Sequence, residues 1–127
     1  MNPLSIALVF GGAGAGGVTR YLLNLGLNPL LADLPLGTLT ANVLGCGAAG
    51  AVVAFLADRI ALDATLRPLL IVGFLGGLTT FSSFALEVVQ SLENQRPLLA
   101  VGLILLHVSA SIAAAVAGLI GMRALLA

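Results

Sequence analysis

Lysine and tryptophan are absent from this chain, and charge of either sign is scarce. Five arginines balance five carboxylates, so the formal net charge is zero. That excludes the basic face a nucleic-acid partner needs. It also excludes a soluble domain of 127 residues. Such a domain needs a largely polar surface, and this chain is 60% hydrophobic and 8% charged, with a mean hydropathy of +1.17. The single cysteine, Cys46, has no partner for an intrachain disulfide and reads as a small apolar side chain. The single histidine, His107, has no acid, cysteine or second histidine at metal-ligand spacing. No nucleophile, base and orienting group occur in a pattern that would support an enzyme. The first apolar run lacks a basic stretch before it and continues through glycines to Arg20, so it is expected to be retained rather than cleaved as a signal.

What the chain has instead is long apolar runs. About 20 apolar residues in a helix cross a bilayer, and four runs reach that length. They cover residues 4–27, 36–57, 68–92 and 97–125, which predicts an all-α membrane protein with one four-helix transmembrane domain over residues 1–127. Pro35, Pro68 and Pro97 fall at the expected helix starts, where a missing N–H costs little. The connections are short, so successive helices run antiparallel. Small residues crowd the first, second and fourth runs: Gly11–Gly17, Gly45–Gly50, and Ala110–Gly118. Such faces let membrane helices approach closely. Four short helices hardly enclose a pore and still pack, which points to an oligomer. Gly12 to Gly17 also fits the dinucleotide pattern G-x-G-x-x-G, but no strand–turn–helix context surrounds it, and a packing face is the better reading.

Orientation is nearly undetermined by charge. With four spans, Arg59, Arg67 and Arg123 share one side, and Arg96 lies on the other, together with Arg20 if that residue is near the helix end. Three against two is a weak bias, compatible with insertion both ways or with one topology fixed by a single residue.

The stretch Gly73-Phe74-Leu75-Gly76-Gly77-Leu78-Thr79-Thr80-Phe81-Ser82-Ser83-Phe84 is a poor helix interior at membrane depth. Backbone leaves a helix there only where protein or a water-filled path satisfies it. A break over Gly76–Thr80 frees carbonyls that suit a small hard cation. Phe81 and Phe84, at i, i+3, offer ring edges of positive potential, and Ser82 and Ser83 offer hydroxyl donors. Together these features point to an ion or solute pathway.

Other polar residues within the runs are candidates for the same path. Asn42 and Thr38 are i, i+4 on the second helix, and an asparagine amide offers two N–H donors to a bare anion or a bond across helices. Arg20, followed by Tyr21, is an anion-attracting charge at a pathway mouth, a structural pin or a snorkelling anchor. Glu87 is an interfacial acid or a pore residue. His107 and Ser111 are i, i+4 on the fourth helix with Ser109 on another face; a lone membrane histidine is a packing residue or a proton relay.

The residues Gly73–Phe84, together with Pro35-Leu36-Gly37-Thr38-Leu39-Thr40-Ala41-Asn42 and Gly45, and Gly11–Gly17 with Arg20-Tyr21, resemble the Fluc (CrcB) family of fluoride channels over nearly the whole length. The resemblance implies an antiparallel, dual-topology homodimer with a broken third helix and two pores, each lined by both subunits. It implies passive, selective fluoride efflux across a bacterial plasma (inner) membrane. Asn42 would sit at a vestibule end of the fluoride path, and Phe81 and Phe84 would turn ring edges to the ion. Thr38, Ser82, Ser83 and a polar track on the fourth helix would assist dehydration. A central structural Na⁺ would be held by the backbone carbonyls of Gly76 and Thr79. In the fourth helix this chain departs from the family pattern of a tyrosine and a serine four residues apart. Those positions carry Leu103 and His107, followed by Ser111, with Ser109 as the track residue if the register is shifted. The rival class is a small dual-topology multidrug exporter, which needs a membrane-embedded acid; the first span has none.

Overall fold

A computed structural model describes residues 2–127, and every element among them is helical. Helix α1 (Pro3–Leu27) begins at Asn2, whose side chain caps the Leu4 N–H at 3.0 Å, with Pro3 in the first turn. It ends in a short turn, Asn28–Leu30, and the Asn28 Oδ1 accepts the Gly37 N–H at 2.7 Å. That bond ties the end of α1 to the start of α2 (Leu36–Leu56). Arg59 follows the end of α2, donates to the Phe55 carbonyl and lies 4.3 Å over the Phe55 ring. A cation there suits the negative end of the helix.

The third span starts earlier than the sequence reading placed it. Helix α3 (Ile60–Leu66) leads into Arg67–Leu75, where the turns widen, and then into the single turn α4 (Gly76–Leu78). Pro68 therefore lies inside the span instead of at its start. A proline ring collides with the carbonyl four residues back in a regular helix, and widened turns relieve that collision. The Asp63–Arg67 ion pair, 2.7 Å at i, i+4, supports the added helix. The span then crosses Thr79 and Thr80 and resumes as α5 (Phe81–Glu93). Helix α6 (Pro97–Leu126) runs without interruption for 30 residues, with Pro97 in its first turn.

Among the described residues, four helices are long and apolar enough to cross a membrane: 3–30, 36–56, 60–93 and 97–126. Their outer faces are apolar, with Phe10, Ile60, Leu98 and Leu125 all more than four-fifths exposed. Thr38, Asn42, Thr80 and His107 are buried inside. This distribution inverts that of a soluble domain and suits a lipid surround.

Packing rests on close backbone approach. A Cβ on Gly16 would strike the Phe74 carbonyl and the Leu78 nitrogen, and one on Gly118 would strike the Gly47 carbonyl. The first contact seats α1 on the third span; the second seats α6 on α2. The glycine pattern in α1 thus lies within a continuous helix, not at a strand–helix turn, as a packing face requires.

Candidate functional site

Thr79 and Thr80 depart from the helix. Their backbones are extended, with φ −80°, ψ 154° and φ −151°, ψ 120°, whereas Gly76–Leu78 stays helical. The glycines therefore do not themselves carry the departure; they allow α1 to lie against it. Both threonines are held in place. The Thr79 hydroxyl donates back to the Leu75 carbonyl at 2.9 Å. The Thr80 hydroxyl caps α5 by accepting the Ser83 N–H at 3.1 Å.

Asn42 holds the departure from across the bundle. Its Oδ1 accepts the Thr80 N–H at 2.7 Å, and its Nδ2 donates to the Thr80 carbonyl at 3.0 Å. This changes the sequence expectation for Asn42. One of its two amide N–H donors is already committed, so one remains for an ion. Thr80, the last residue of the expected break over Gly76–Thr80, is the residue Asn42 clamps. Its position as a capping threonine before Phe81-Ser82-Ser83 was the available signal.

The same exchange bears on the carbonyls of Gly76 and Thr79. In a continuous helix the Thr80 N–H would go to the Gly76 carbonyl and the Ser83 N–H to the Thr79 carbonyl. Here they go to Asn42 and to the Thr80 hydroxyl. Both carbonyls are therefore released from helical bonding, and such oxygens are the donors a hard cation takes. Arg20 Nη1 donates to the Thr79 carbonyl at 3.3 Å, the pinning arrangement among those open to Arg20. A carbonyl oxygen has two lone pairs, so this weak bond leaves one free.

The remaining candidates fall into tiers shared by α2, α5 and α6. In the lowest tier Thr38, fully buried, donates to Glu87 Oε1 at 2.5 Å, and Leu103 packs nearby. Glu87 and Leu103 line a cavity of about 260 Å³ that opens between the α1–α2 and α5–α6 connections. At its rim Arg96 holds Asp33 with both guanidinium arms, Nη2 to Oδ2 at 2.8 Å. The hydrogen bond from Arg96 and its charge hold the Asp33 carboxyl below the usual carboxylate range.

One turn along the same helices lies a second cavity of about 250 Å³, mostly apolar. Asn42, Thr80, Phe81, Phe84, His107 and Ser111 line it. Phe81 and Phe84 meet edge to face, with centroids 5.5 Å apart and planes at 69°. Phe84 is buried and Phe81 is 77% exposed on the outer face. His107 stacks on Phe84, 4.7 Å away at 23°. Ser83 and Ser82 lie within 3.2 Å of the Thr80 hydroxyl; Ser82 faces outward. Ser109 is exposed and returns its hydroxyl to the Leu105 carbonyl at 2.5 Å. Of the fourth-helix candidates, His107 and Ser111 therefore face the cavity, and Ser109 does not. The structure gathers Asn42, Phe81, Phe84, His107 and Ser111 in one cavity, puts Thr38 and Glu87 one turn away, and sets Arg20 beyond Thr79.

A bundle of four apolar helices around a polar, aromatic-lined interior defines a multi-pass membrane protein. The family model described as "CrcB-like protein, Camphor Resistance (CrcB)" matches residues 7–119, and the chain belongs to that family. It is 41% identical, over 98% of its own length and 92% of the relative's, to a protein of Dechloromonas aromatica named "Fluoride-specific ion channel FluC". A protein of the same name from Tolumonas auensis is 45% identical over 98% of this chain and 95% of its own. The Pseudomonas aeruginosa protein of that name is 44% identical over 94% and 92%.

Proposed function

We propose that this chain is a fluoride-selective channel, not an enzyme, and that it lowers cytoplasmic fluoride by passive efflux across a bacterial inner membrane. The observation that carries this reading is the second cavity. It joins a free amide N–H of Asn42, the Ser111 hydroxyl and the rings of Phe81 and Phe84 in an otherwise mostly apolar space. Fluoride is small and strongly hydrated, so a site that strips its water must replace it with short, strong donors. Asn42 and Ser111 supply such donors, and the edges of Phe81 and Phe84 add weak positive potential. Chloride is larger and less strongly hydrated, so it gains less from short, strong donors. Binding must also stay weak enough for release, which ring edges allow better than a fixed cation.

The functional unit in this reading is an antiparallel dimer of oppositely inserted copies. The exposed Phe81, the balanced arginines and the apolar outer faces support it. The third helix, broken at Thr79 and Thr80, would bring the Gly76 and Thr79 carbonyls to a structural Na⁺. When bound, that ion supplies a fixed positive charge among carbonyl dipoles. Asn42 keeps the backbone in the extended form that releases those oxygens. Thr38 and Glu87 would line the far end of the path, where the Thr38 hydroxyl partly satisfies the carboxyl.

The test is efflux from reconstituted liposomes, read with fluoride- and chloride-selective electrodes. Wild-type protein should release fluoride and retain chloride. Phe81→Ile should abolish release while still eluting as the wild-type assembly. Proton-driven uptake of an organic cation with no fluoride release would replace this reading with the exporter class.

A further inference from the structure

His107 is the least explained polar group in the molecule. It is 3% exposed, and neither ring nitrogen has a hydrogen-bond partner among the described residues. An imidazole left so is costly unless something else visits it. Its ring lies against the Phe84 face, and its N–H groups lie in the ring plane, so Phe84 cannot satisfy them. The ring borders the second cavity together with Ser111 and Asn42.

The charged groups around it lie outside its tier. On α5, Glu87 is bonded through Oε1 to Thr38 in the neighbouring tier, and its Oε2 has no partner among the described residues. Arg20 of α1 is bonded to the Thr79 carbonyl. On α2 the titratable group is Cys46, a thiol lining the same cavity. On α6 itself, Arg123 lies near the far end, and Arg96 precedes the helix and pairs with Asp33. Among the described residues, no fixed counter-charge lies in the tier.

We propose that His107 is a proton-linked anion site, in which a ring N–H contacts the fluoride and fluoride and proton bind more tightly together than apart. This rests on the fluoride-channel reading and adds regulation to it. A neutral imidazole offers an anion one donor and one repelling lone pair; the imidazolium offers two donors and a positive charge. The coupling is reciprocal, so fluoride raises the proton affinity of His107 by the factor that the proton raises fluoride affinity. Tighter binding fills the site at lower fluoride but slows exit from it. As the pH falls, half-saturating fluoride should fall and maximal flux should fall with it.

His107 is the only histidine in the chain, so histidine-labelled protein gives one ring signal by NMR. The full chain in detergent is titrated from pH 5 to 8 in sodium fluoride, and again in sodium gluconate. Fluoride should move the midpoint upward by about half a unit to one unit, a coupling of roughly 3- to 10-fold. Equal midpoints in the two salts, or a ring signal that does not titrate, overturn the proposal. In liposomes corrected for leak through protein-free vesicles, wild type should show half-saturation and maximal flux both several-fold lower at pH 6 than at pH 8. His107→Gln, which keeps an N–H donor but does not titrate, should lose that split. A split that persists in the variant overturns the role of His107; if the variant does not assemble, the wild-type titration decides. Wild-type vesicles that release no fluoride at any pH overturn the channel reading instead, whatever the ring signal does.

Discussion

The seating of α1 on the third span and the seating of α6 on α2 use the same device. Each removes side chains so that two backbones touch: Gly16 against Phe74 and Leu78, Gly118 against Gly47. They differ in what the touching backbone does. Helices α2 and α6 are both continuous through the contact, so every buried backbone group there is bonded within its own helix. The third span carries widened turns within its contact with α1 and two extended residues directly after it. Close packing alone therefore builds a scaffold. Close packing beside a departure from the helix leaves backbone polar groups that need partners from other helices. Here those partners are Asn42 and Arg20. The glycines let α1 approach; the departure creates the polar interior.

That difference predicts a separation of effects under one kind of substitution. Gly16→Ala and Gly118→Ala each push a methyl group into facing backbone. Each should lower stability by about 1–3 kcal/mol, as overpacking of a tight contact does. Flux per folded molecule should separate them. Gly16→Ala displaces the span that bears Thr79 and Thr80 and should reduce fluoride efflux by about tenfold or more, since the path tolerates little change in donor placement. Gly118→Ala should leave efflux per folded molecule within about threefold of wild type. Thermal unfolding in detergent and electrode efflux on the same preparations make the measurement. Equal flux losses in the two variants would remove the distinction between scaffold and site.

Asn42→Ala is the next largest expected effect. It leaves the Thr80 N–H and carbonyl unpaired in a residue that is 7% exposed. Interhelical hydrogen bonds in membrane proteins contribute less than their geometry suggests, so the loss should be about 1–2 kcal/mol. The loss of flux should be larger than that figure implies, because the extended form of Thr80 is no longer specified. Asn42→Asp sharpens the point. A carboxylate can accept the Thr80 N–H but cannot donate to the Thr80 carbonyl, and it repels an anion. It should recover part of the stability and none of the flux. Recovery of flux in Asn42→Asp would mean that the clamp, and not the remaining amide N–H, was what the ion required.

What was legible in the sequence follows the same division. Continuous helices declare themselves through apolar runs, so α1, α2 and α6 lie close to their expected bounds. The glycine faces were legible because small residues at membrane depth have few other uses. Phe81, Phe84 and the hydroxyls around them stood out as residues a plain span does not need. The third span was misjudged at its start because Pro68 looks like a helix beginning. Asp63 and Arg67, at i, i+4, were the signal that helix precedes it. The partners of Asn42 and Arg20 were not legible, since Thr80 and Thr79 lie 38 and 59 residues away. Nothing local encodes a bond closed by tertiary packing. His107 was visible as an oddity, but its stack on Phe84 and its unpartnered nitrogens needed coordinates.

The smallest effect is expected where the structure looks most tightly joined on paper. Asp33 and Arg96 form a two-armed ion pair across the rim of the Glu87 cavity, between residues 63 apart in sequence. Both side chains are about half exposed, and exposed pairs of this kind contribute little because water and salt screen them. The hydrogen bond from Arg96 lowers the folded-state pKa of Asp33. The stability it gives is therefore fully present above the unfolded value near 3.8 and is lost as the pH falls through the folded value below that. At pH 7 Asp33→Asn should change the melting temperature by about one degree or less. The change should shrink further in high salt. It should vanish at a pH low enough to protonate the wild-type carboxyl. A loss of several degrees at pH 7 would instead make the rim part of the scaffold, holding the α1–α2 and α5–α6 connections together. The contrast between a rigid packed scaffold and a polar site would then need a third element, a latch that closes the end of the path where Glu87 sits.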